Sequence, residues 1–208
     1  HIDYTKIQDA LTTFQLRHLA RMSALKLNYQ LSELIPQQGA KVYFDLEFHW
    51  DEVGKTHLVD NACFLVAKNE IIFVLDIFVK YPGQQKDIYR FNALDEQIIQ
   101  QYGIDKETAY YVIQWFFGII SGVEALHWCG NDGKILQDWL GFSVPVKFVD
   151  LEPQLRHIIG AKTKSGAVKR ASLDEARRKY GIIQHPTHLA YDDTVVLYQI
   201  DRLAARPT

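Results

Sequence analysis

Tyr43-Phe44-Asp45-Leu46-Glu47-Phe48 lies within an alternating stretch over 42–49. Successive side chains of a strand point to opposite faces, so Asp45 and Glu47 share one face while Phe44, Leu46 and Phe48 share the other. Two carboxylates side by side on so apolar a strand are costly unless something compensates them. Divalent cations that take oxygen ligands, such as Mg²⁺ or Mn²⁺, are the natural compensation; an edge strand with a solvated acidic face is the plainer alternative.

The strand pattern continues downstream. Residues 61–67 and 71–79 are further apolar runs, joined by Lys68-Asn69-Glu70 as a hairpin turn. Residues 106–122 and 134–140 read as helices and 144–149 as a short strand. Ser172-Leu173-Asp174-Glu175 is a capping box that opens a helix through Tyr180, and a last helix is predicted over 190–204. Strands first, then helix alternating with strand, predict an α/β sheet with helices on both faces. Upstream, Ile7, Leu11, Phe14, Met22 and Leu25 recur at three- and four-residue steps within 4–35, until Pro36 and Gly39 punctuate the pattern. The expected organisation is a helical N-terminal arm over 1–39 and a domain over 40–208. The arm either packs on that domain or offers a surface for a homodimer or a protein partner.

Bulk properties narrow the class. The 208 residues are 48% hydrophobic and 23% charged, which excludes a disordered chain or a fibrous repeat. A net charge of -2 advertises no global field for nucleic acid or membrane. Seven of the 23 basic residues nevertheless crowd into 161–180, against Asp174 and Glu175 alone. Cys63 and Cys129 both lie in apolar stretches and read as buried free thiols rather than a disulfide framework. No apolar run reaches the roughly 18–20 residues of a bilayer span, and His1-Ile2-Asp3-Tyr4 does not read as a signal peptide. A soluble, intracellular protein without membrane attachment is expected.

Two further segments carry chemistry. His188-Leu189-Ala190-Tyr191-Asp192-Asp193 sets a carboxylate in a first helical turn and an imidazole on the loop before it, free to act as a general base; an ordinary helix start, acidic to favour the dipole, is the alternative. His127-Trp128-Cys129-Gly130-Asn131-Asp132-Gly133-Lys134-Ile135-Leu136 offers Asp132 ahead of a short apolar helix, or else a simple turn.

Taken in order, these segments resemble the Asp-Glu-Asp-Asp 3′–5′ exonucleases of the DnaQ-like family in the ribonuclease-H-like superfamily. An Asp-x-Glu strand comes first, Asp132 follows some 85 residues on, and His-x-Ala-x-x-Asp lies near the end. His188 to Asp193 keeps the spacing of the branch with His five residues before the final Asp, DEDDh. His127 to Asp132 keeps the spacing of the family's His-Asn-x-x-Phe-Asp motif, and Ile135-Leu136 supplies the apolar pair after it. Gln101-Tyr102-Gly103-Ile104-Asp105-Lys106-Glu107 is similar to the family's Gly-Ile-Thr turn, and Phe78-Val79-Lys80-Tyr81-Pro82 to the end of its third strand. The resemblance covers about residues 41–205. Trp128 stands where the family often has Asn and Asn131 where it often has Phe, changes similar to the branch that trims structured or small RNA ends.

The resemblance implies a ribonuclease-H-like mixed β-sheet flanked by helices, and a metal-dependent exonuclease that releases nucleoside 5′-monophosphates from the 3′ end of RNA or DNA. Asp45, Glu47, Asp132 and Asp193 would hold two Mg²⁺ or Mn²⁺ ions about 3.5–4 Å apart. Asp45 would bridge them, Glu47 and Asp193 would serve the ion that activates water, Asp132 would serve the second, and His188 would be the general base. The implied partner is single-stranded or end-frayed nucleic acid, with RNA favoured over DNA. Phe48, His49 and Trp50 are candidates to stack on the terminal base. Lys162, Lys164, Lys169 and Arg170 are candidates to track the phosphate backbone, a solvated charged face being the alternative. Two other readings stay open: a catalytically inactive nucleic-acid-binding or scaffold protein that retains the exonuclease fold, and an endonuclease on a related fold.

Three lures are set aside. Asp150-Leu151-Glu152 repeats an Asp-Leu-Glu triplet but is cut short by Pro153 and reads as structural. Gly54-Lys55-Thr56 mimics the end of a phosphate-binding loop, yet His49 stands where Gly is required. His127 and Cys129 lack any paired zinc-ligand spacing.

Overall fold

A computed structural model describes residues 39–51, 53–82, 94 and 96–205, so the helical arm predicted over 1–39 lies, but for Gly39, outside the described residues. The sheet is built from β1 (Lys41–Trp50), β2 (His57–Ala67), β3 (Ile71–Lys80), the two-residue β4 (Ile104–Asp105), β5 (Glu124–His127) and β6 (Lys147–Asp150). Their spatial order is β4-β3-β2-β1-β5-β6. β1, β2 and β3 form an antiparallel meander, while β5 runs parallel to β1, β6 to β5 and β4 to β3. The helices are α1 (Glu96–Tyr102), α2 (Lys106–Ile119), α3 (Asp132–Leu140), α4 (Glu152–Ile159), α5 (Leu173–Lys179) and α6 (Ala190–Ala204).

The mixed sheet of this α/β fold carries helices on both faces. Phe44, Leu46, Phe64 and Leu75 pack with Ile113, Phe116 and Phe117 of α2 and with Leu136 and Trp139 of α3 in one core. Tyr43, Cys63, Leu65 and Leu126 pack with Leu155 of α4, Ala176 of α5 and Val196 and Ile200 of α6 in the other. The alternation along β1 therefore divides the two cores. Asp45 and Glu47 fall on the side of Tyr43, whose hydroxyl donates to Asp201 of α6 at 2.6 Å. Among the described residues no helix is long and apolar enough to cross a membrane.

Several elements differ from expectation for identifiable reasons. β2 begins at His57 rather than 61 because of a bulge: Glu47 pairs with Asn61 and Phe48 with Val59, leaving Asp60 unmatched. That extra residue interrupts the period-2 pattern. β6 starts at Lys147 rather than 144, since Pro145 has no N–H to donate and a tight turn links the Val146 N–H to the Val144 carbonyl at 2.9 Å. α2 ends at Ile119 rather than 122, and α3 opens at Asp132 rather than 134. Pro153 opens α4 instead of cutting the segment short, because the first N–H groups of a helix need no intrahelical partner. α1, β5 and β4 are too short to show a period. The capping box at Ser172 is present, with both reciprocal hydrogen bonds to Glu175.

Candidate functional site

β1 lies inside the sheet, so two remote segments can come close to its carboxylates. Glu47 is buried, and Asp45 is partly buried beside it. β5, the parallel neighbour, leads into Asp132, the first residue of α3. α6 crosses the face and sets Asp193 in its first turn, buried. The four carboxylates feel one another. Burial pushes Asp45 well above the usual carboxylate range, and Glu47, Asp193 and Asp132 push it further. Glu47 is raised to about 9 by burial, then by Asp193, Asp132 and Asp60. Asp132 is raised to about 7 by burial and by Asp150. Asp193 reaches about 6, burial outweighing the Thr187 amide and the nearby His188. Burial and the gathered negative charge thus hold all four carboxyls above their ordinary range.

Two strained loops carry the approach. Among the described non-glycine residues, only Cys129 and His188 have positive φ, 49° and 58°. Such residues persist where surrounding contacts over-determine them. Before α6, the Thr187 N–H donates to Asp193 at 2.9 Å and the Thr187 hydroxyl to Asp192 at 2.6 Å. The Ala190 N–H donates to Asn61 Oδ1 at 3.0 Å, while Asn61 Nδ2 donates to Asp76 at 2.6 Å and to the Ile77 carbonyl at 3.0 Å. A buried amide on β2 thus fixes the start of α6. Before α3, the Cys129 and Glu152 N–H groups both donate to one oxygen of Asp150, at 2.9 and 3.0 Å. Glu152 in turn accepts from the Ala171 N–H and from Arg156, so the Asp150-Leu151-Glu152 triplet holds structure, as expected. Gly133, next to Asp132, must be small: a Cβ there would lie 2.5 Å from Phe148 Cγ.

Glu47, His188 and Asp193 each offer a ligand atom within 4.8 Å of the other two. His188 is exposed while both carboxylates are buried, so the group opens to solvent at its imidazole edge. Oxygen donors with a single imidazole, carrying charge that raises their own pKa values, fit a hard or borderline divalent cation. Asp45 and Asp132 stand outside that three-residue group; Asp132 raises the Glu47 carboxyl, and Glu47 and Asp193 raise that of Asp45.

The residues proposed to meet substrate are distributed differently. Phe48 and Trp50 alternate away from the carboxylates; Phe48 packs on the core beneath α2 and α3 and meets the His57 ring edge-on, and Trp50 lies against His57 at 3.8 Å. Trp50 is more than half exposed. His49 shares the acidic face, but its Nδ1 is held 2.7 Å from buried Asp60. Lys162, Lys164, Lys169 and Arg170 are all exposed, and Lys169 pairs with Glu175 at 2.8 Å. Gly54-Lys55-Thr56 is the tip of the β1–β2 hairpin, where Asp51 accepts from the Lys55 N–H. Cys63 is buried as expected, whereas Cys129 is only partly so.

Sequence reasoning missed Asp60, Asn61, Asp76 and Thr187. Asp60-Asn61 left a trace, two adjacent polar residues inside the apolar run of β2. No model of a known protein family matches this chain, and a search of curated proteins finds no match.

Proposed function

We propose that this protein is a divalent-metal-dependent 3′–5′ exonuclease with a ribonuclease-H-like fold, acting on RNA or DNA ends. The observation that carries the reading is the mutual proximity of Asp45 and Glu47 on β1, Asp132 at the start of α3 and Asp193 in the first turn of α6, with His188 at the solvent edge. The family resemblance named those five residues on sequence order alone, and its mixed sheet with helices on both faces agrees with the architecture. Asp45, Glu47, Asp132 and Asp193 would hold Mg²⁺ or Mn²⁺, which supplies Lewis-acid polarisation of a phosphodiester and a more acidic water. The protein's own groups do the rest. Glu47 and Asp193 are held rigidly by strand β1 and by the Thr187 amide, so the site is organised before substrate arrives. His188, beside both, is placed to accept the proton of an attacking water at a ring nitrogen.

The test is digestion of single-stranded RNA and DNA oligonucleotides, labelled at the 5′ end, with Mn²⁺ or Mg²⁺. Stepwise shortening from the 3′ end with release of nucleoside 5′-monophosphates is expected, and a chelator should abolish it. Asp45→Asn and Asp193→Asn should each slow release by more than ~100-fold, since loss of outer-shell partners of a metal alone costs 10–100-fold. Undiminished release in both variants would overturn the reading, and cutting of closed circular substrates would identify an endonuclease instead.

A further inference from the structure

We propose that residues 161–171 form a basic hairpin that guides the phosphate backbone of a single-stranded nucleic acid past the carboxylate site. The proposal rests on the nuclease reading above and adds a partner surface to it. The segment is an ordered element: Lys162 bridges Val168, the Lys169 N–H donates to the Ala161 carbonyl at 2.9 Å and the Thr163 N–H to the Ala167 carbonyl at 2.8 Å. Its tip turns at Gly166, whose φ of 86° suits glycine and whose N–H donates to the Thr163 carbonyl at 2.9 Å. Preorganised cations lose less entropy on binding than cations on a mobile loop.

The structure sorts the seven basic residues of 161–180 by occupation. Arg177 is buried and pairs with Asp174, which also pairs with Arg178, and Lys169 pairs with Glu175. Those three serve the packing and capping of α5. Lys162, Lys164 and Arg170 are exposed and enter none of the ion pairs among the described residues. Lys179, the last residue of α5, is also exposed and outside those ion pairs, so three of the four such cations sit on the hairpin and one at the end of the helix after it.

The hairpin is also tied to the site. At its base the Ala171 carbonyl accepts from Trp128 Nε1 at 3.0 Å, and the Ala171 N–H donates to Glu152 at 3.0 Å. Trp128 opens the strained loop that leads to Asp132, and Arg170 is close enough to act on the Cys129 thiol in that loop. A polyanion approaching clustered carboxylates is repelled, so cations on a hairpin tied through Trp128 to the loop before Asp132 supply an attraction.

The experiment compares a guide variant, Lys162→Gln with Lys164→Gln and Arg170→Gln, with a control that removes paired charges outside the hairpin, Lys147→Gln with Arg178→Gln. Binding of a labelled 20-nucleotide single-stranded RNA is followed by fluorescence anisotropy across a salt series, with metal chelated so that the RNA stays intact. Losing three phosphate contacts at ~0.7 per contact should flatten the slope of log affinity against log salt by about 2. The control should keep the wild-type slope. With Mn²⁺ present, the guide variant should lose activity on long RNA while hydrolysing the p-nitrophenyl ester of thymidine 5′-monophosphate like wild type. An unchanged slope, equal flattening in the control, or no RNA binding by wild type would overturn the guide. Failure of the nuclease reading would look different: wild type would hydrolyse neither substrate, while the slope effect of the guide variant persisted.

Discussion

Glu47 concentrates the cost of this site in one residue. It is buried, it faces Asp193, Asp132 and Asp60, and its carboxyl is raised to about 9. A carboxyl with a folded pKa above its unfolded one holds its proton more tightly in the folded state. Its contribution to stability is complete below the unfolded value of 4.5 and is lost as pH rises through about 9. Glu47→Gln keeps the shape and removes the titration. In metal-free protein the melting temperature of this variant should exceed that of wild type by a margin that widens from pH 5 to pH 9, by roughly 3 °C per unit at one proton. Thermal scans across that range decide it, and parallel profiles would show that Glu47 is not charge-stressed. Activity should fall in the same variant, since a neutral amide holds a divalent cation poorly.

At the scale of elements, the start of α6 matters most, because it carries both Asp193 and the loop bearing His188. Asn61 of β2 joins it to β3 through three hydrogen bonds. Asn61→Ala should destabilise the fold by about 1–3 kcal/mol, the range for buried polar groups left without partners. It should also lower kcat with little change in KM, because the effect reaches the reacting groups through Ala190 and not through substrate. Ser172→Ala is the contrast. It removes the capping box of α5 at about 1 kcal/mol, and denaturant melts should show that loss with kcat unchanged. A matching kcat loss in Ser172→Ala would mean that the Asn61 effect is general destabilisation.

Across the whole molecule, charge is segregated in a way that a net value of -2 conceals. Four carboxylates gather where β1 meets the starts of α3 and α6, while three exposed cations outside the ion pairs among the described residues, Lys162, Lys164 and Arg170, stand together on the 161–171 hairpin. A cation that binds only the folded form adds about 2.7 kcal/mol at a hundredfold excess over its Kd. Mn²⁺ at pH 8 should therefore raise the melting temperature by roughly 5–10 °C, and Asp45→Asn with Asp193→Asn should erase the shift. A rise of equal size in that double variant would place the binding elsewhere.

Much of this was legible from local pattern. The alternation over 42–49 separated Phe44 and Leu46 from Asp45 and Glu47, and the two cores take opposite sides of β1 accordingly. The capping box at Ser172 and the span of α6 could be read because caps and helical periods depend on neighbours three or four residues away. The motif order named Asp45, Glu47, Asp132, His188 and Asp193, the residues of the proposed site. By contrast, the Asp60 bulge and the short β5 depend on pairing with distant strands. The division of the basic run was equally hidden, since nothing in its sequence distinguishes Lys169, paired with Glu175, from Lys162. The sequence by itself determined which side chains share a face and which can cap a turn, because those relations follow from backbone period. Only the tertiary structure decided which charges meet, which are stripped of water and which stay free. Desolvation and long-range electrostatics are sums over neighbours that the chain brings together only when it folds.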